Sequence, residues 1–242
     1  RLRLWTPDLI SFFCAILLLF GTTLTFLGRN LLNCFNSKIK NSNTGRIAVE
    51  FVDPTCCNGR ATEPNFLSTV GINSKQIIAY VRSTQISRNA PRKNFKLPHN
   101  IPVVFFDQIP VSASSLKIFF QLSFFFAVTV AKCWCSFRRF LIDFTDLVNW
   151  FEFSSFLSVY KPKAHIFNSL PNGKTGTRFD SGIFTGVCRK FNCLSIGYQS
   201  RLQYRQKLYY YFEVFDRYYF WGSAWRSAYA YPNFIKESLS LG

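Results

Sequence analysis

Residues 9–28 read LISFFCAILLLFGTTLTFLG, with no charge between Asp8 and Arg29. As a helix rising ~1.5 Å per residue this run reaches about 30 Å, the thickness of a bilayer's hydrocarbon core. Its polar members are Ser11 and three threonines, whose hydroxyls can bond back to the helix's own carbonyls. The run therefore reads as a transmembrane helix. Two other readings compete. A secretory signal would use Arg1 and Arg3 as its positive end, but the apolar run exceeds ~7–15 residues and no small-x-small site follows it. A buried core helix seldom stays apolar on every side. Arg1 and Arg3 precede the span, whereas Arg29, Lys38, Lys40 and Arg46 follow it, which places the following chain on the matrix or cytoplasmic side.

Outward from this segment the chain divides into a transmembrane anchor (1–29), a polar juxtamembrane linker (30–45), a basic β-containing region (46–116), an apolar to amphipathic helical region (117–160) and a turn-rich, then aromatic-basic helical region (161–242). The fold class expected is mixed α+β and membrane-anchored. Its parts are an N-terminal transmembrane helix, a small β-containing middle region and an aromatic-rich helical C-terminal region. In the middle region Arg46–Val52, Ile77–Val81 and Ile101–Phe106 are β-branched or ring-rich runs that read as strands, and Pro102 confines the third to an edge or a strand start. Ile118–Ala131 is apolar but only about 14 residues long, nearer to a core or interfacial helix than to a span. In Phe140–Tyr160 acids and rings interleave at near-helical spacing, and Lys161-Pro162-Lys163 ends that helix.

Composition narrows the function. The 242 residues carry a net charge of +17, with 19% aromatic and 48% hydrophobic residues. That excludes fully disordered and collagen-like chains, and it favours partners that are anionic or apolar. Between Pro64 and Phe106 there is no acid. Within that interval Arg82, Arg88, Arg92, Lys93 and Lys96 lie in a Pro-interrupted stretch, RSTQISRNAPRKNFKLPHN, suited to an RNA phosphate backbone or to anionic lipid headgroups. A solvated loop is the bland alternative. Near the C-terminus Leu208, Phe212, Phe215 and Tyr219 fall at i, i+4, i+7 and i+11. They form a stripe on a helix expected from about Ser200 to Phe220, for docking on a partner subunit or on headgroups.

Chemistry-bearing motifs are sparse. Gly173-Lys174-Thr175 suggests a phosphate loop, but Asn168 stands where its first glycine belongs, and Asn172-Gly173 reads better as a hairpin turn. Asp143 and Asp146 are three apart without a histidine partner, and they read as surface acids. Cys133-x-Cys135 and Cys188-x4-Cys193 lack a second pair or nearby histidines, so buried unpaired thiols are expected rather than a metal site. No catalytic residue, metal or other cofactor is implied. The function expected is a noncatalytic, membrane-anchored accessory or structural subunit of an organellar assembly, with the mitochondrial inner membrane favoured. Its partners would be other protein subunits and the lipid bilayer. A basic RNA-contacting ribosomal or ribosome-associated protein is the alternative, and a poorly selected reading frame the third.

Overall fold

The computed structural model describes residues 6–35, 46–50, 72–81, 101–111, 113–132, 137–168, 180–198, 214–220, 222–223 and 235–240. The chain divides into two compact units. One comprises residues 1–40 and 107–155, and the other residues 41–106 and 156–242.

The first unit is helical: α1 spans Thr6–Phe35, α2 Ala113–Lys132 and most of α3, Phe137–Tyr160. Its core joins Ala15, Leu19 and Phe26 of α1 to Phe119 of α2 and to Phe144, Leu147 and Phe151 of α3, with Val111 beside them. Phe26 meets Phe119 edge-on at 5.2 Å and Phe151 at 4.9 Å between ring centroids, a geometry that favours the rings' quadrupoles. The order of contacts gives the helix directions. Going from Phe26 to Asn30 on α1, the partner falls from Phe119 back to Val111, so α2 runs antiparallel to α1. Phe26 meets Phe151 and Arg29 meets Glu152, so α3 runs parallel to α1.

The second unit holds a seven-stranded sheet, all parallel, in the order β3-β2-β1-β4-β5-β6-β7. The strands are β1 Ile47–Glu50, β2 Ile77–Val81, β3 Val103–Phe105, β4 Ala164–Asn168, β5 Leu194–Tyr198, β6 Phe215–Phe220 and β7 Ile235–Ser240. Parallel strands are covered on both faces, which is why IIAYV of β2 is buried at all five positions. Alternate residues build one face: Val49, Ile77, Ala79, Val81 and Phe105 pack with Ile101. β3 occupies the edge that Pro102 requires, since a proline nitrogen cannot donate to a ladder.

Helix α4, Asp180–Lys190, links β4 to β5. It ends in a Schellman motif. The Cys193 N–H donates to Cys188 O at 2.8 Å and the Asn192 N–H to Arg189 O at 3.2 Å, while Asn192 takes a left-handed φ of 54°. The apolar contact that such a motif recruits is made here by the two thiols, so the spacing Cys188-x4-Cys193 belongs to a helix stop. Both are buried free thiols. The hydrogen bond with Cys193, and then burial, push the Cys188 thiol well above its ordinary pKa. α3 stops differently, in the simpler αL motif: Lys161 sits at φ 44° and donates its N–H to Leu157 O, and Pro162, with no N–H for a Schellman bond, forbids continuation.

The architecture is thus mixed α/β with one parallel sheet and an apolar N-terminal helix, and this corrects two expectations. Strands are not confined to a small middle region, because β4 to β7 extend the sheet almost to the C-terminus. The helix expected from Ser200 to Phe220 is a strand over Phe215–Phe220. Residues i and i+4 share a face on a helix and on a strand alike, so Phe215 and Tyr219 fit either period. Bulky rings between covered sheet faces decided it.

Candidate functional site

In the helical unit the described outer faces of α1 and α2 are largely apolar. Along α1, Phe13, Leu17, Phe20, Leu24, Leu27 and Leu31 are all exposed, Leu17 to 70% and Leu31 to 66%. Their steps of three and four residues make one stripe about 27 Å long at ~1.5 Å per residue. On α2, Ile118, Phe120, Leu122, Phe124 and Phe125 are exposed, and Gln121 is the one exposed polar residue between Ile118 and Phe125. Several polar groups lie inside. Ser123, Asn149 and Glu152 are buried, and Arg29 and Glu152 form an ion pair at 3.0 Å with side chains 9% and 1% exposed. Asn30 clasps the Val111 backbone in both directions, accepting from its N–H at 2.7 Å and donating to its carbonyl. Thr22, Thr23 and Thr25 turn their hydroxyls onto the carbonyls of Leu18, Leu19 and Gly21, each at 2.8 Å, which satisfies them within the helix itself. α1 is long and apolar enough to cross a membrane.

The sheet unit buries a row of polar residues on the face opposite the apolar cluster. Tyr80 Oη and His165 Nε2 are joined by a 2.7 Å hydrogen bond, and both residues are wholly buried. Phe106 stacks on Tyr80 at 4.8 Å, Phe156 meets it at 5.1 Å, and Phe184 stands edge-on to His165. His165 pairs in register with Ser195, whose hydroxyl donates to Asp216 Oδ2 and accepts from the Asp216 N–H, both at 2.9 Å. Arg189 closes the other carboxylate oxygen at 2.9 Å. Burial pushes the Asp216 carboxyl up, but the Ser195 N–H, the Arg189 guanidinium and the Ser195 hydroxyl together hold it below the usual aspartate value. The proton and an acceptor position of the Ser195 hydroxyl are both committed, and this row ties β5, β6 and α4 together.

Open parallel sheets take ligands outside the strand ends where the order reverses, here between β1 and β4. Glu50, the buried last residue of β1, stands at the carboxyl end of one of these two strands. The segments after β1 and β4, with Gly173-Lys174-Thr175, lie outside the described residues. Among the described residues no cluster of three or more His, Cys, Asp or Glu could hold a metal.

Of the residues singled out from sequence, Arg82, Arg88, Arg92, Lys93, Lys96, Leu208 and Phe212 lie outside the described residues. Phe215 and Tyr219 are four apart on β6, with Phe215 buried against Tyr218 at 5.4 Å between centroids and Tyr219 half-buried. The Tyr80–His165 pair and the Ser195–Asp216–Arg189 tie were not anticipated. Their only sequence signal is a polar residue inside a short apolar run, which gains meaning once register is known. No family model, curated protein or solved structure matches this chain.

Proposed function

We propose that the protein is a noncatalytic, membrane-anchored subunit of a larger organellar assembly, with the helical unit as its membrane part and the sheet unit as its body. The observation that carries this reading is the apolar outer face of α1 and α2, beside a buried ion pair within the helical unit. Water-facing helices turn polar residues outward, whereas lipid-facing bundles expose apolar side chains and keep ionisable groups inside. The α1 stripe exceeds what a monomer in water leaves open, since contiguous apolar patches rarely pass a few hundred Å². The basic flank after α1 favours the matrix side for the body, and the +17 charge suits an anionic membrane surface.

Fractionation tests it. Membranes from cells expressing the full chain are washed with high salt, with nuclease and with alkaline carbonate. Retention through all three washes is expected. Release by salt or nuclease supports the RNA-contacting reading instead, because phosphate contacts weaken steeply as salt rises.

A further inference from the structure

We infer that α1, α2 and α3 cross the bilayer together as a three-helix bundle, with the outer faces of α1 and α2 forming its lipid-facing wall. The inference rests on the membrane reading above and extends it from one span to three.

The first argument is depth. Ala15, Leu19 and Phe26 occupy the inner side of the stretch whose outer side carries Phe13 to Leu31, and they pack on Phe119, Phe144, Leu147 and Phe151. Helices in contact along that stretch share its depth. If α1 is in the bilayer there, α2 and α3 are in it as well. The contacts also form successive layers. Asn30 with Val111 lies at the last turns of α1 and just before α2; Arg29 with Glu152 follows, then Phe26 with Phe119 and Phe151. At ~1.5 Å per residue α1 and α2 are about 45 and 30 Å long, and residues 137–155 of α3, the part within the helical unit, about 28 Å, close to a hydrocarbon core of about 30 Å; among the described residues α1 alone is also apolar enough to span by composition.

The second argument is parity. Strands β1 to β3 precede α2, strands β4 to β7 follow α3, and all seven belong to one sheet. A chain that leaves the sheet's side through α2 must return through α3, so these two helices cross together or not at all. Four residues, 133–136, connect them.

The third argument is placement of polar groups. α2 shows lipid-compatible residues outward while Ser123 is buried, and Lys117 near its start can reach the headgroups. α3 carries Asp143, Asp146 and Glu152, and among its described positions only Ser158 is exposed. A membrane bundle keeps its acids inside, and here Glu152 is buried.

The test uses the full chain inserted co-translationally into microsomes, carrying Lys236→Cys on the exposed side of β7 as the reporter for the sheet. After reduction, a membrane-impermeant maleimide is applied before or after detergent, and each cysteine is read by peptide mass. Cys133 and Cys135 are expected to label from the side opposite Lys236→Cys, so that one set loses all labelling until detergent opens the membrane. Labelling of both sets from the same side in a chain that still resists carbonate overturns the three-span bundle and leaves the membrane reading standing. Release of the chain by carbonate overturns both.

Discussion

Arg29 and Glu152, distant in sequence, meet at 3.0 Å inside the helical unit, and the Arg29 guanidinium also lies 4.9 Å over the ring of Phe26. Both charges are buried, so removing either strips the other of its ion-pair partner in a place that water does not readily reach.

Arg29→Met or Glu152→Leu alone is therefore expected to destabilise the helical unit by about 3–5 kcal/mol, whereas the double substitution recovers most of that loss. Denaturant unfolding in detergent micelles measures it. A loss in the double variant equal to the sum of the two single losses would show that the pair contributes no coupling.

The outward stripe of α1 predicts a different response. Leu17→Arg places a charge at the most exposed point of the stripe and costs about 2.5–3.5 kcal/mol on insertion scales. Carbonate-resistant protein should fall, while the sheet's circular dichroism in the released fraction stays unchanged. An unaltered membrane fraction would mean that the stripe does not face lipid.

Two glycines should behave oppositely when changed to alanine. A Cβ on Gly197 would lie 2.7 Å from ring carbons of both Phe215 and Tyr218, so Gly197→Ala overpacks the β5–β6 contact at a cost of about 1–3 kcal/mol. A Cβ on Gly186 of α4 meets nothing within 4 Å, and Gly186→Ala should gain up to about 1 kcal/mol from helix propensity. Thermal melts of the two variants separate these outcomes.

Asp216 gives the sheet unit an acid limb. Its folded carboxyl titrates below its unfolded value, so the unfolded state takes up the proton first as pH falls. The stabilisation is complete above the unfolded aspartate value, near ~3.9, and is lost as pH drops through the folded one. Asp216→Asn should lower stability at neutral pH and flatten the loss in acid. A stability–pH profile that keeps its full acid slope would assign that slope to other carboxylates.

The sequence carried the helical unit further than the sheet. Long apolar or amphipathic runs located α1, α2 and α3, and Lys161-Pro162 marked the end of α3, because helix length and stop chemistry are local properties. β1, β2 and β3 were legible for the same reason, and Pro102 even indicated the edge. β4 and β5 were not, since AHIFN and LSIGY are short and interrupted by His165 and Ser195, whose burial depends on partners across the sheet. The outward apolar stripe was hidden as well. An all-round apolar α1 does not say which of Leu17 and Leu19 turns inward until Phe119 and Phe151 are in place.

Pairing of β1 with β4 sets the order in which the protein can be made. Ala48 waits for His165, and both α2 and α3 leave the ribosome in the interval. A sheet of the first three strands formed before β4 is made would leave β1 uncovered on one edge. Such an edge is a template for wrong pairing. Prompt delivery of α2 and α3 to their final environment shortens that interval, so conditions that delay it should appear first as aggregation of nascent chains stalled between Phe105 and Ala164.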